Sequence, residues 1–472
     1  MNDAWDRADD TPGDPVVPST DDSTRENPIV RAAAGYGDDA PRDPRVERRS
    51  SSRAGSRRAH SAKRHTVGKV LLSTLLTLAL VSAMSVAFFY RHLNGNLNTV
   101  DISGDILEPK PTVPADVGPT GALNILVMGS DTRDCAGCNI DGIPGGDGAD
   151  TTILVHLSAD RKTAYGISIP RDSLVDRPEC KDKKDKSIIH PAATNVMWNA
   201  AYSIGGEACT VAQFMHDTGI PVDHYVTVNF GSFKNMVDAI GGVEVCVPKD
   251  IHSEQYGIFI KAGTRKIQGK AALAYVRVRH GIGDGSDIGR VKRQQAFIGA
   301  MVSQVLSADT LANPIKVTKF LDAATKSLTL DMNLTDLVKL ALQFKNVGAG
   351  GIKFITIPNG PAPSDPNRVA WTSEADVVWK RILHDKTLPT DLTGQAVISV
   401  DHLPGQSESP NPTPSATASD SPSATASGSA SGSPSGSASG SATKSPSASP
   451  SLEANGRTAA DNAALEAAGL CT

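Results

Sequence analysis

The sequence predicts a layered α/β domain preceded by one membrane-spanning helix. Three features carry that expectation. A charge-free apolar run extends from Val70 to Tyr90, strand-like and helix-like segments interleave from Leu123 to Pro358, and a Ser/Ala/Gly/Pro stretch beyond Gly405 has nothing to bury. Both ends of the chain are poor in large apolar residues, so one central stretch must supply the core.

Residues 1–66 are polar and rich in Asp, Pro, Ser and Arg. Such a segment cannot bury enough apolar surface to offset its ordering entropy, and it reads as a disordered cytoplasmic tail. Its basic half, from Arg42 to Lys69, suits anionic lipid headgroups. Nucleic-acid binding is the rival reading of that charge, but no aromatic interleaving or folded motif accompanies it, so no nucleic-acid partner is expected. The net charge of −4 is too small to point to a partner.

Residues 67–90 are expected to form a transmembrane helix, since about 20 apolar residues cross the hydrocarbon. Basic flanks stay in the cytoplasm, which places everything after Arg91 outside. A cleaved signal sequence is the alternative, but signal cores are shorter and lie nearer the N-terminus. The 6 cysteines, Cys135, Cys138, Cys180, Cys209, Cys246 and Cys471, all follow the apolar run. Disulfides fit an oxidising side. Cys135 and Cys138 have redox or zinc spacing but lack a second CxxC or a His pair, and the connectivity stays open.

Residues 91–120, with Pro109, Pro111, Pro114 and Pro119, read as a linker. The domain is placed at 121–395, with its core at about 121–305. Strands are expected at Leu123–Met128, Thr152–Leu157, Thr163–Ile169, His224–Phe230, Val243–Val247 and Lys353–Pro358, with Arg277 and Arg279 on one face of another. Helices are expected at Ala192–Gly205, Cys209–Thr218, Phe233–Ile240, Arg290–Leu306, Pro314–Ser327 and Leu334–Val347. Interleaving of this kind means a layered α/β domain. Residues 396–454 read as a flexible stalk, and 455–472 as a tail with a short Ala-rich helix whose role the sequence does not tell.

Three clusters carry possible chemistry. Asp131 ends the first strand and Asp150 starts the second. If those strands are neighbours, two hard carboxylates converge, which suits Mg²⁺; turn formation or helix capping is an equal reading. Arg171 and Asp172 follow the third strand, where a structural ion pair is the simpler account. The third cluster holds Arg277, Arg279, Asp284, Asp287, Arg290 and Arg293. Arg290 and Arg293 share a face at a helix start. Arginine forks suit bidentate phosphate binding and a helix N-terminus adds a favourable dipole, against the rival of a solvated charged face. No G-x-S-x-G elbow, zinc signature or P-loop occurs, so serine hydrolase, metalloprotease and NTPase readings fall away.

GSDTR, GADTTILV, SIPRDS, NAAYSIGG, VNFGSFKNMVDAIGGVEVCVP and ALAYVRVRHGIGDGSDIGRVKRQQ, in that order, resemble the LytR-CpsA-Psr family in its actinobacterial form over about residues 120–390. The resemblance implies an α-β-α domain with a central mixed sheet and a tunnel for a polyprenyl tail. Val226, Val228 and Phe230 are possible linings, with a plain core role as the alternative. It implies a phosphotransferase that moves a glycopolymer, such as a teichoic acid, from a polyprenyl-pyrophosphate carrier to peptidoglycan. By the same resemblance Asp131 and Asp150 are the magnesium carboxylates, with Mn²⁺ as the alternative ion. Arg171, Arg277, Arg279, Arg290, Arg293 and Gln294 bind the pyrophosphate, and Arg171, Asp287 and Arg290 form the catalytic set. Many members carry a lysine two residues before the Asn of N-A-A-Y; this chain has Met197 there, with Lys186 as the substitute. Asp172 and Asp287 are candidates for a general base whose identity the sequence does not tell. The rival functions are a polyprenyl-pyrophosphate phosphatase, a membrane-bound transcriptional attenuator and a non-catalytic glycan-binding anchor.

Overall fold

The computed structural model describes residues 63–117, 121–132, 146–307, 310, 312–344, 347, 351–393, 396–398 and 458–471. Most of the expected cytoplasmic tail, Arg133, the Cys135–Cys138 motif and most of the stalk lie outside the described residues. The chain divides into two units, 1–72 and 73–472.

Helix α1, Lys63–Asn96, holds the apolar run. At 1.5 Å per residue even its apolar part exceeds the roughly 30 Å of a hydrocarbon core. Within Thr66–Asn96 an 18-residue window has a mean hydropathy of 2.2, and none of that window is buried. It is long and apolar enough to cross a bilayer and fits a single-pass membrane protein. Two of its hydroxyls bond within the helix: Thr77 donates to the Ser73 carbonyl and Ser85 to that of Val81, each at 2.8 Å.

Eight strands build the central sheet: β1 Asn98–Thr99, β2 Leu123–Ser130, β3 Ala149–Leu157, β4 Ala164–Ile169, β5 His224–Asn229, β6 Leu328–Leu330, β7 Ile352–Thr356 and β8 Val397–Ile398. The spatial order is β1-β6-β5-β2-β3-β4-β7-β8. Pairs β1/β6, β5/β2 and β4/β7 are parallel, and the others antiparallel. The sheet is therefore mixed, as expected. β4 is buried at every position, which explains its run of apolar and small residues.

Helices cover both faces. On one lie α2 Ala200–Thr218 and a helix at Ser373–Leu383. Phe214 and Trp379 of these helices join Trp198 and the buried Leu126, Met128, Leu154 and Ile167 in one cluster. The other face packs α5 Asp287–Leu306 against β7, and Ala296 and Ile298 meet Phe354 there. Gly166 lies beneath Phe354; a Cβ there would come within 2.3 Å of the ring. A second cluster unites α3 Phe230–Ala239, α4 Gly269–Tyr275 and α5 around Val237, Tyr275 and Phe297. Two further helices matter below: α6 Pro314–Ser327 and α7 Leu334–Phe344.

Three expectations need correction. The Arg277–Arg279 segment is not a strand. α4 ends at Tyr275, and Arg277 and Val278 turn back to donate to the Ala274 carbonyl at 3.0 and 2.8 Å. Val276 and Val278 are buried while Arg277 and Arg279 are half-exposed, so a turn imitates strand alternation. Ala193–Met197 is a strand paired with Leu174–Arg177, not part of a helix. The expected break between two helices is present inside α2, at Gly206, where φ is 65° and the backbone leaves the helix. Finally, the start of the expected linker belongs to the domain: Leu93 and Ile102 are buried, and β1 extends the sheet.

The expected tail is docked. Its helix Ala459–Ala467 is capped by Thr458 and Asp461 reciprocally, and Leu465 and Leu470 are buried beside Phe354. Cys471 is bonded to Cys246, and Cys180 to Cys209.

Candidate active site

The carboxyl ends of β2, β4, β5 and β7 open at one end of the sheet, where ligands of open α/β folds collect. The antiparallel β3 begins there. β2 and β3 pair regularly until Gly129 faces Thr151 and Ser130 faces Ala149, which leaves Asp150 as the extra residue of a β-bulge. The bulge aims its carboxylate at Arg171, with Nη1 and Oδ1 2.6 Å apart. Arg171 follows β4 directly after Pro170, and its carbonyl accepts from the Asn199 N–H at 3.2 Å.

Asp131 follows β2. Its Oδ1 accepts from the Gly148 N–H at 2.8 Å, and its own N–H donates to the Gly148 carbonyl at 3.1 Å. A Cβ at position 146 would stand 1.7 Å from Asp131 Oδ2, so any side chain there displaces the Asp131 carboxylate.

The opposite wall is the start of α5, capped by the Ser286 hydroxyl accepting from the Gly289 N–H at 2.9 Å. Asp287 and Arg290 share a face across one turn. Asp287 Oδ1 lies 2.8 Å from Arg290 Nη2, 3.4 Å from Arg279 Nε and 4.0 Å from Arg171 Nε. Arg290 is only 2% exposed. Arg277 stacks over Phe230, 4.2 Å from the ring centroid. Gln294 accepts from the Thr151 hydroxyl at 3.1 Å and donates to the Val276 carbonyl at 3.1 Å.

The charges here bias one another. Burial pushes the Asp150 carboxyl up, but Arg290, Arg171 and Arg277 outweigh it and hold the group below its usual range. Burial pushes the Arg171 guanidinium down, yet Asp150, Asp287 and Asp172 raise it overall. For Arg290 burial wins, helped by Arg171 and Arg279, and its pKa falls despite Asp287 and Asp150. Several buried atoms have no aligned hydrogen-bond partner among the described residues: Arg171 Nε, Arg290 Nε and Nη2, and both Asp287 oxygens. The 2.8 Å approach of Arg290 to Asp287 is an ion pair whose geometry is too bent to be a hydrogen bond. Orphaned buried donors on two adjacent guanidiniums are costly unless something completes them.

Arg171, Arg279, Arg290, Asp150 and Asp287 thus form one linked cluster, Arg277 acts on Asp150, and Asp131 and Gln294 are positioned by β3 and the loop before it. Arg293 stands apart. It is fully buried, and its Nη1 donates to the Ala468 carbonyl at 2.8 Å and its Nη2 to that of Val278. It ties the C-terminal segment to the Arg277–Arg279 turn. Lys186 pairs with Asp105 at 3.0 Å. Lys183 pairs with Asp147 beside the Gly148 loop. Arg368 holds Asp172 at 2.7 Å. Sequence reasoning missed both: Lys183 sits in an unremarkable charge run and Arg368 in a polar stretch with no motif.

Comparison with known proteins follows the same outline. The chain is 33% identical over 263 residues to the cell wall biosynthesis protein LcpA of Corynebacterium glutamicum, covering 50% of each chain. It is 34% identical over 200 residues to the polyisoprenyl-teichoic acid–peptidoglycan teichoic acid transferase TagV of Bacillus subtilis, covering 41% of this chain and 47% of that one. It therefore spans about half the length of these curated relatives. Among solved structures, a LytR-Csp2A-Psr enzyme from Actinomyces oris aligns with a TM-score of 0.45 at 23% identity, over 61% of this chain and 95% of that one. The LytR_cpsA_psr family model matches residues 89–379, from the end of the apolar helix through every residue of the arginine–aspartate cluster, and the chain belongs to that family.

Proposed function

We propose that this protein is a phosphotransferase that moves a glycopolymer from a polyprenyl-pyrophosphate carrier to peptidoglycan. The observation that carries this reading is the set of unsatisfied guanidinium donors on Arg171 and Arg290, beside Arg279 and facing two carboxylates. A diphosphate offers the acceptor oxygens those donors lack. The names of relatives support the donor and acceptor classes: TagV is called a transferase of polyisoprenyl-linked teichoic acid to peptidoglycan.

In this reading Arg171, Arg279 and Arg290 bind the donor's phosphate oxygens and stay in place as charge develops on the leaving polyprenyl phosphate. Burial of Arg290 strengthens that interaction by excluding water. Asp287 spans the three guanidiniums and holds their spacing; its oxygens, ion-paired but without aligned hydrogen bonds, make it the group proposed to take the acceptor hydroxyl's proton. A loose phosphoryl-transfer transition state asks little of such a base.

Asp131 and Asp150 fit a magnesium ion by donor chemistry. They are hard oxygen ligands at adjoining strand ends, and Mg²⁺ commonly uses one or two carboxylates plus waters and phosphate oxygens. No cluster of three or more His, Cys, Asp or Glu exists among the described residues, so a larger protein cage is not the proposal. When bound, Mg²⁺ would neutralise phosphate charge. The domain is proposed to face the cell exterior, as the basic flank of α1 implies.

The test is an assay of the purified full chain with a lipid-pyrophosphate-linked glycan and peptidoglycan oligomers. Transfer of glycan to the oligomers, lost on EDTA treatment and restored by Mg²⁺, is expected. Release of glycan phosphate at equal rates with and without the acceptor would overturn transferase in favour of phosphatase.

A further inference from the structure

Helix α7 takes no part in the site, yet its placement is specific. It lies at the opposite end of the sheet. At its start the Leu334 N–H donates to Asn94 Oδ1 at 3.3 Å, and the Thr335 and Tyr90 hydroxyls are 2.9 Å apart. At its far end Gln343 accepts from Arg161 Nε at 2.7 Å, and Arg161 belongs to the turn between β3 and β4. The helix is thus pinned from the end of the apolar helix to the turn beneath the middle of the sheet. Leu334 is buried and Leu337, Leu340 and Phe344 are half-buried toward the domain. The other face is bare: Val338 is 50% exposed and Leu342 61%, one turn apart in line with Thr335.

Helix α6 repeats the pattern. Its Asp322 accepts from Asn96 at 3.0 Å and pairs with His92 at 2.8 Å, so α6 stands beside the exit of α1. Two turns before Asp322, on the same face, Ile315 is 66% exposed, followed by Lys316 and one turn later by Lys319. The apolar surface of α1 ends at the same level, with Phe88 74% and Tyr90 45% exposed.

We propose that α7, with the N-terminal end of α6, rests on the outer surface of the bilayer that α1 crosses: Val338, Leu342 and Ile315 enter the headgroup–acyl boundary while Lys316 and Lys319 meet lipid phosphates. This rests on the reading of α1 as a membrane span. Two arguments select lipid over a protein partner. The exposed apolar residues continue the surface of α1 through the Tyr90–Thr335 contact, and lysines flank them as in interfacial helices. The consequence for the site is geometric. β3 runs from Asp150 toward the α7 end, so the arginine cluster stands roughly one strand length, about 25–30 Å, above the headgroups. The pyrophosphate of a lipid donor must then be lifted clear of the bilayer plane to reach Arg290, and docking fixes that height.

The experiment uses the full chain in phosphatidylglycerol/phosphatidylcholine vesicles, with and without bromine on the acyl chains. Two variants are compared, L342W and F259W; Phe259 is equally exposed, at 64%, on the hairpin 251–260 that approaches Gly281 near the site. Co-flotation with the vesicles is scored first. Loss of most of the emission added by L342W in brominated vesicles, with that of F259W unchanged, is expected. Flotation without selective quenching at Leu342 overturns the docking while leaving the membrane span intact. A chain that does not float overturns the span itself. Equal quenching at both positions overturns the proposed orientation.

Discussion

Arg290 and Arg293 lie three residues apart on one helix and are both buried, yet their surroundings give them different roles. Arg293 spends its donors on two backbone carbonyls; Arg290 keeps unsatisfied donors next to Asp287. R293A is expected to strip two buried carbonyls of their donor and cost about 3 kcal/mol or more of stability, read as a lowered denaturant midpoint. R290K keeps a cation beside Asp287 but loses the fork. It is expected to leave thermal unfolding nearly unchanged and to reduce transfer about 100-fold, the size typical of losing one charge-stabilising donor. If R290K transfers as well as wild type, Arg290 does not contact the diphosphate.

Asp217, near the end of α2, is a second residue whose burial has a measurable consequence. Burial, with Asp176 and Glu108 nearby, pushes its carboxyl up to about 8, and Oδ2 has no hydrogen-bond partner among the described residues. The unfolded chain ionises near the ordinary value of 3.8, so between that pH and about 8 the unfolded state gives up a proton that the folded state retains. This group therefore lowers stability as pH rises through that window. D217N is expected to be neutral near pH 4 and stabilising by an amount on the order of 2 kcal/mol at pH 8. Melting curves at the two pH values check the sign; an equal effect at both would rule out titration as the cause.

Elements were legible in the sequence where a single chemical pattern fixed them. The core strands announce themselves by apolar runs ended by Gly, Pro or Asp, and α6 by helical periodicity from Pro314, where the structure adds a cap: Asn313 accepts from the Ile315 and Lys316 N–H groups. The 193–197 segment reads as the start of a helix, but it pairs with Leu174–Arg177, far from its own turn; the Arg277–Arg279 turn reads as a strand for a different reason. Alternating burial arises wherever a segment lies against a core, and only its hydrogen-bond partners separate a strand from a turn. The C-terminal helix was invisible as a docked element because its partners, Phe354 and Cys246, are far away in sequence. Its disulfide closes a span of 225 residues. C471S is expected to lose about 2–5 kcal/mol in a long-loop crosslink, visible as a lower melting temperature that matches wild type under reducing conditions. A C471S chain as stable as oxidised wild type would mean the segment holds by packing alone.

At the scale of the whole molecule, sequence determined what local chemistry can encode: an apolar helix able to span a bilayer, an α/β domain after it, a low-complexity stretch too poor in apolar residues to build a core, and the identities of the arginines and carboxylates that matter. Tertiary structure decided how they combine. A bulge in β3 turns Asp150 toward Arg171, a buried helix start brings Arg290 to Asp287, and docking of the C-terminal segment sends Arg293 to the Ala468 carbonyl instead. These outcomes rest on strand register and long-range packing, which depend on partners distant in the chain. Residue type and spacing alone leave that information out.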